Sequence, residues 1–541
     1  MIHYRKILVC LLFVAALLFM AGVSARGDSL MPKNVVPPRV ETTALRLMHD
    51  LKKHGFEVSR GYFKLYTTKD CDYTFDKIRT CEGNNPAAPY VTFAVPPWPE
   101  EFVDDKSNLW GPSPEGYNDI YRLDPREAIV ILGRLPPPAA YFGEQTYLFS
   151  RQGEIDMTSN NQTYQAIVKN LPPQMLSFFF AYVPGETPDD PPPSRFQTFS
   201  SLSNPINNVV IERQSHVAFN QVRYFIITPD RRMDAAVRGA LARISIKEKD
   251  IFTEPIHSCM KTGLERASDN PSCMKFGLKR ASDNFTTIIR YAQPADGGKP
   301  GTPSDTWRTD LPLVVLRVRD TKREPLPYNS PLVLEDRTAV SESWLKDDLG
   351  YLLAAVGRRW GQPCATDKCS DRAGSFLDLQ TPPPHTVGPD CMEAEENCLG
   401  DNWDTAYQIN GPNSLDKGEV YAVAGTLGTE TGNATYVGLG INYGEKFLGV
   451  ANLSDEDLKG TAKRYRKEVS HTGQFYLYYF TRDCSGLKHL TDGNCFELTE
   501  AMIPSEKHVG FSVRDYIVPG TERGPDSSKV LPSMIMQLQR P

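Results

Sequence analysis

Short apolar stretches separated by polar and turn residues, with proline and glycine between them, dominate this chain. YFKLYTT (62–68), YVTFAVP (90–96), EAIVILG (127–133), YFGEQTYLFS (141–150) and SFFFAYV (177–183) are rich in β-branched and aromatic residues and bounded by turn residues; each predicts a strand. NVVIER (208–213), VRYFIIT (222–228), FTTIIRYA (285–292) and PLVVLRVRD (312–320) extend the series, and FYLYYFT, GFSVRDYIV and the C-terminal MIMQL close it. EVYAVAGTL and TYVGLGINY flank GTETGNA and read as a hairpin.

Helical periodicity is rarer. From Val40, Leu45, Met48 and Leu51 recur at helical spacing, with Thr42 or Thr43 as a cap and Gly55 as a stop. Trp344, Leu345, Leu349, Leu352 and Val356 do the same over 341–360. VRYFIIT runs straight into PDRRMDAAVRGALARI: Thr228 can accept from orphan amides, Pro229 suits the first helical position, and Asp230 favours the positive helix end. SDEDLKGTAKRY predicts a short helix opening on acids.

These elements predict an α+β class: two β-rich domains of antiparallel or mixed sheets with a few packed helices, an all-β double sandwich being the alternative. The expected division is a leader at 1–25, a loose segment at 26–39, a first domain at 40–325 with a βα unit near 222–244, and a second at 326–541. The second carries the helix near 341–360 and a Cys/Pro-rich loop at 361–400. YFKLYTTKDCDYTFDKIRTC (62–81) and FYLYYFTRDCSGLKHLTDGNC (475–495) echo each other, which suggests equivalent places in two related domains. HSCMKTGLERASDN (257–270) is followed at once by PSCMKFGLKRASDN; two copies are too few for a repeat array, and a surface loop accepts such an insertion at little entropic cost.

Composition adds a compartment. Arg5 and Lys6, the apolar run Ile7–Val23 and the small residues Val23 and Ala25 form a secretory signal peptide, an uncleaved anchor being the alternative. Cys10 leaves with the leader, and ten cysteines remain for an oxidising compartment. Cys71 with Cys81, Cys364 with Cys369, Cys391 with Cys398 and Cys484 with Cys495 are the local disulfide candidates; Cys259 and Cys273 either pair with each other or leave one spare. Asn161, Asn284, Asn433 and Asn452 open glycosylation triplets. Without the leader, 58 basic residues face 66 acidic ones, a net charge of −8, and no basic block stands out. Nucleic acid is therefore excluded as a partner, and no membrane contact is expected after cleavage.

No nucleophile elbow, P-loop, zinc-protease pair or Cys-x-x-Cys is present, and neither a cofactor nor a metal site is expected. DKCSDRAGSFLD (367–378) has acids at some calcium-loop positions but places Arg372 where glycine is needed. GDNWDTAYQINGP (400–412) sets Asp401 and Asp404 beside Trp403 and Tyr407: carboxylates can accept from sugar hydroxyls while rings stack on a pyranose, and paired acids serve glycoside hydrolysis. The plain reading of the same residues is core anchors and turn caps. The function expected is a secreted, disulfide-bonded binding or structural glycoprotein whose partner is a carbohydrate or an extracellular protein. The alternative is an extracellular hydrolase acting on carbohydrate through those paired carboxylates, so enzymatic activity stays open.

Overall fold

The computed structural model describes residues 34–104, 106–153, 195–261, 270–364, 369, 372–380 and 388–541. The leader, the strand expected at 177–183 and Asn161 lie outside them.

Four sheets, mostly antiparallel, organise the chain. In the first half an outer sheet runs β1 (Glu57–Arg60), β11 (Leu313–Arg319), β4 (Glu127–Arg134), β8 (Val222–Thr228), β9 (Ile251–Pro255). The inner sheet runs β2 (Tyr62–Tyr66), β3 (Tyr90–Ala94), β10 (Asn284–Pro294), β5 (Ala139–Gln152), β6 (Arg195–Ser201), with β7 (Ile206–Asn207) beside β5. The second half has an outer sheet β12 (Ala373–Ser375), β21 (Met534–Gln539), β15 (Glu419–Thr426), β18 (Phe475–Thr481), β19 (Cys495–Glu497). Its inner sheet is β13 (Leu377–Asp378), β14 (Thr405–Asn413), β20 (Val509–Tyr516), β16 (Tyr436–Tyr443), β17 (Leu448–Ser454). Apart from β7, the two halves have one strand order. The parallel pairs β8/β9 and β18/β19 fall at the same place in each.

Packing explains the patterns. On β4, Ile129 and Ile131 point into the space between the two sheets of the first half, where they meet Phe63, Phe93, Phe142 and Ile289. Ala128, Val130 and Leu132 point outward under two helices, α1 (Pro38–Lys53) and, after α2 (Asn208–Ser215), α3 (Arg231–Arg243). A strand buried on both faces reads as an unbroken apolar run, as AIVIL does. The second half repeats this: Val423, Leu439, Phe480 and Phe511 fill the space between its sheets, while α4 (Lys346–Arg359) covers Val420, Ala422 and Leu477 from outside. The architecture is the expected β-rich α+β class.

Several local expectations are corrected. NVVIER is helical, within α2, because Asn207 accepts from the amides of both Val209 and Val210 and caps a turn that β-branched residues disfavour. EVYAVAGTL and TYVGLGINY are no hairpin: β15 lies in the outer sheet and β16 in the inner one, and Gly428–Thr431 is a helical turn between them. Asp230, not Thr228, caps α3, accepting from Arg232 at 2.8 Å. Thr42 and Thr43 sit inside α1 and bond back to Pro38 and Arg39. The second copy of the tandem repeat is partly packed rather than a surface loop: Met274 and Leu278 are buried, and Asp283 pairs with buried Arg151 at 2.6 Å. The cysteines pair as Cys71–Cys81, Cys259–Cys273, Cys364–Cys369, Cys391–Cys398 and Cys484–Cys495.

Two glycosylation candidates sit inside this packing. Asn433 is fully buried; its amide donates to Val340 at 2.9 Å and to Glu342 at 2.8 Å and accepts from the Val340 amide. Asn284 is 3% exposed and bonds Ser150, whereas Asn452 is half-buried against Tyr436. Peptide mapping of the protein expressed through a eukaryotic secretory route should therefore find Asn284 and Asn433 without glycan. Asn433→Ala should lower unfolding stability in urea by about 2–4 kcal/mol, because it strips partners from the buried Glu342 carboxylate and the Val340 backbone.

Candidate functional site at the seam between the two halves

The inner sheets face each other, and the contact is reciprocal. The β2–β3 connection contains Cys81-Glu82-Gly83 and the β13–β14 connection Cys398-Leu399-Gly400, each opening on the second cysteine of a disulfide. Cys81 and Gly83 donate backbone bonds to Lys446 at 2.7 Å and Phe447 at 2.9 Å, beside β17. Cys398 and Gly400 donate to Thr198 at 2.7 Å and Phe199 at 2.9 Å, in β6. Glu82 and Leu399 both adopt φ 56°, and the receiving Phe447 and Phe199 adopt 47° and 39°. A Cβ at Gly83 would come within 2.7 Å of the Phe447 ring, and one at Gly400 within 2.6 Å of Phe199, so both positions need glycine.

Nine residues after each of these cysteines comes a tyrosine, Tyr90 or Tyr407. Ile289 pairs with Val91, which sets Tyr90 beside Arg290, and Arg290 lies opposite Gly143. Tyr407 lies opposite Arg514, and Arg514 opposite Gly438. Each arginine crosses the seam to the other half's loop, Arg290 to the Gly400 carbonyl and Arg514 to the Gly83 carbonyl, both at 3.4 Å. Tyr141 and Tyr436, two residues before the glycines, pack on Tyr516 at ring distances of 4.5 and 5.5 Å.

A cavity of about 40 Å³ opens in this seam, room for a few water-sized groups. Its chemistry comes from Glu82, Tyr90, Asp401, Tyr407, Ser512 and Arg514. Burial pushes the Glu82 carboxyl up to about 7, against a hydrogen bond from Gln197 at 2.8 Å. Burial also raises Asp401, to about 6, although Ser201 (amide and hydroxyl) and the Gly388 amide all donate to it. Burial raises the Tyr407 phenol well above its usual range, with Arg290 and Arg514 opposing, so it stays a donor. Arg514 is 8% exposed, and among the described residues its guanidinium bonds the Gly83 carbonyl and forms no ion pair.

Of the four residues singled out in the sequence, Asp401 and Tyr407 meet in this cavity. Asp404 and Trp403 do not line it. Asp404 is fully buried and takes Arg523 at 2.9 Å and the Tyr141 hydroxyl at 3.0 Å. Trp403 is half-buried, donates to the Glu335 carbonyl at 2.7 Å and lies under the Arg337 guanidinium. Glu82, Arg514 and Ser512 were missed. A shared Cys-x-Gly-x-Asn-x4-Tyr at 81–90 and 398–407 is the signal that could have pointed to Glu82; Ser512 and Arg514 carry no such signal and are placed by strand register.

No protein-family model matches the chain, and no curated protein matches it. Two solved structures align with the chain: an uncharacterized Burkholderia cenocepacia protein at 10% identity, covering 95% of this chain and 92% of its own with a TM-score of 0.35; and a Vibrio parahaemolyticus protein at 11% identity, covering 78% and 88% with a TM-score of 0.31.

Removing Asp404 should leave Arg523 buried without its main partner. Asp404→Ala is expected to cost roughly 3–5 kcal/mol in urea unfolding. The pH dependence has a defined sign. The Glu82 proton is held more tightly in the folded protein than in the unfolded chain, where the carboxyl sits near 4.5. Its stabilisation is complete below that value and is lost as pH rises through about 7. The difference in unfolding free energy between wild type and Glu82→Gln should therefore drift by on the order of 3 kcal/mol between about pH 4 and pH 8, the wild type losing ground toward alkaline pH.

Proposed function

We propose that this chain is a secreted, disulfide-braced binding protein that holds a small ligand in the seam between two domains, 40–325 and 326–541. Arg514 carries this reading. A guanidinium taken out of water is costly unless a counter-charge or full hydrogen bonding compensates it, and Arg514 has one long bond to Gly83 while facing a cavity. The expected leader and the five disulfides support export, and no helix among the described residues is long and apolar enough to cross a membrane. The glycoprotein part of the reading rests on Asn161 and Asn452.

A second reading, a hydrolase acting on carbohydrate, draws on Glu82 and Asp401 rather than on Asp401 and Asp404. Both carboxyls line one cavity, and both are raised. Against it, about 40 Å³ does not admit a pyranose ring, and three donors already occupy Asp401.

Thermal unfolding against a panel of small acids, amines and sugars separates the readings. A ligand at a hundred times its Kd should add about 2.7 kcal/mol of stability. That gain should vanish in Leu379→Trp, which fills the cavity from β13's continuation. A panel without a single stabilising compound at millimolar concentration overturns the binding reading. Sugar release from oligosaccharides that Glu82→Gln abolishes would favour the hydrolase.

A further inference from the structure

The two halves present the same Tyr–Arg–Gly row to the seam, so the surroundings of one arginine show what the other lacks. Arg290 is satisfied from within. Its Nη1 donates to the Tyr147 hydroxyl at 2.6 Å, and its guanidinium lies 5.3 Å from both the Tyr90 and Tyr147 ring centres. Tyr147 in turn donates to Gln145 at 2.9 Å.

Counting along β5 and β16 from the matched glycines, Gly143 and Gly438, Gln145 corresponds to Gly440 and Tyr147 to Asn442. Counting back from the matched arginines on β10 and β20, Ile288 corresponds to Ser512. Every replacement in the second half is smaller. The Asn442 amide donates to Ser512 at 3.2 Å. A Cβ on Gly440 would lie 2.8 Å from Arg514 Nη1 and 2.6 Å from the Ser512 hydroxyl oxygen, so the bare glycine makes room for both donors. Arg514 thus has the position of Arg290 without the phenol oxygen that Arg290 holds.

The geometry points to a small carboxylate as the ligand of the seam cavity, its oxygens accepting from the Arg514 guanidinium as the Tyr147 hydroxyl accepts from Arg290. This rests on the reading of the seam as a ligand site. A carboxylate matches the planar fork of arginine and supplies the missing counter-charge. Ser512 accepts from Asn442 and so has its own proton to give, and the Tyr407 phenol lines the same space. A cavity of about 40 Å³ fits the head of an acid with few heavy atoms.

The charged groups around this space are Glu82, Asp401 and Arg514, with Arg290 behind Gly400 and the phenols of Tyr90 and Tyr407 completing the wall. Asp401 is the opposing charge, and its oxygens are turned to Ser201 and Gly388. Glu82, protonated, can donate to the ligand; ionised, it repels it. Binding should weaken as pH rises through the value near 7 at which Glu82 ionises.

Acetate and formate are the probes, with sodium chloride and sulfate at equal ionic strength as controls, read by calorimetric titration and thermal unfolding at pH 6 and pH 8. Wild type should bind acetate or formate, more weakly at pH 8, and the controls should leave it unmoved. Arg514→Gln should weaken binding by about tenfold or more. Asn442→Tyr, which installs the residue found in the first half, should block binding while the free protein unfolds no earlier than wild type. Glu82→Gln should remove the pH dependence. Undiminished binding in Arg514→Gln overturns the proposal. So does stabilisation by other members of the panel with none by acetate or formate, an outcome that leaves the seam a ligand site of different chemistry. No stabilisation by any compound overturns both.

Discussion

Two backbone exchanges across the seam hold this molecule in one arrangement. The loop after Cys81 docks beside β17, and the loop after Cys398 docks on β6. Each exchange covers the edge of the other half's inner sheet, an edge that would otherwise present unpaired amides and carbonyls. Each also follows a short disulfide loop, Cys71–Cys81 or Cys391–Cys398, which narrows the conformations the docking segment explores before folding. The left-handed backbone at Glu82, Leu399, Phe199 and Phe447 is the local cost of threading the loops so closely. Because four such residues recur in matched places, the strain belongs to the docking and not to one ligand wall.

That docking buries a polar surface. Inner-sheet faces carrying Arg290, Arg514, Tyr141 and Tyr436 would be solvated in an isolated sandwich; pressed together they must satisfy one another. Asp404 with Arg523 and Tyr141, and Asp401 with Ser201, do this completely, and the two aspartates therefore fasten the second half to the first. Arg290 is completed by Tyr147. Arg514 breaks the pattern, and a departure confined to one of two matched positions is a feature of that position, since topology, register and loop geometry are common to both.

How much of this was legible follows from what each signal measures. Runs of β-branched and aromatic residues between turn residues located β2, β3, β4, β8, β10 and β11, because strands buried on both faces read as near-continuous apolar segments. Such runs could not tell that β15 and β16 join different sheets, since a crossover and a hairpin share turn residues. Nor could they show that the Asn207 cap outweighs the β-branched run that follows. The echo between 62–81 and 475–495 was drawn from the wrong pair: β2 corresponds in strand order to β13, and β18 to β8. The true correspondence, from Cys81 to Tyr90 and from Cys398 to Tyr407, shares few residues and becomes visible once register places both tyrosines beside an arginine. Asp401 and Tyr407, which line the cavity, stood out because acids and aromatics cluster within a few residues of each other. Arg514 and Glu82 lie far apart in sequence, and pairing across sheets is what joins them.

The repeat also distinguishes the two walls of the cavity. Asp401 and Asn84 occupy the same place after their Cys-x-Gly segments, and Asn85 and Asn402 make the same turn, accepting from Ala87 and Asp404 at 2.9 Å. Asp401 locks its loop to Ser201 and Gly388. Asn84 is equally buried, yet neither atom of its side-chain amide has a partner among the described residues. The wall bearing Glu82 is thus held by Gln197 on the Glu82 carboxyl and by the Tyr90 hydroxyl and Arg514 on its carbonyls, while the opposite wall is pinned by a carboxylate that accepts from Ser201 and Gly388.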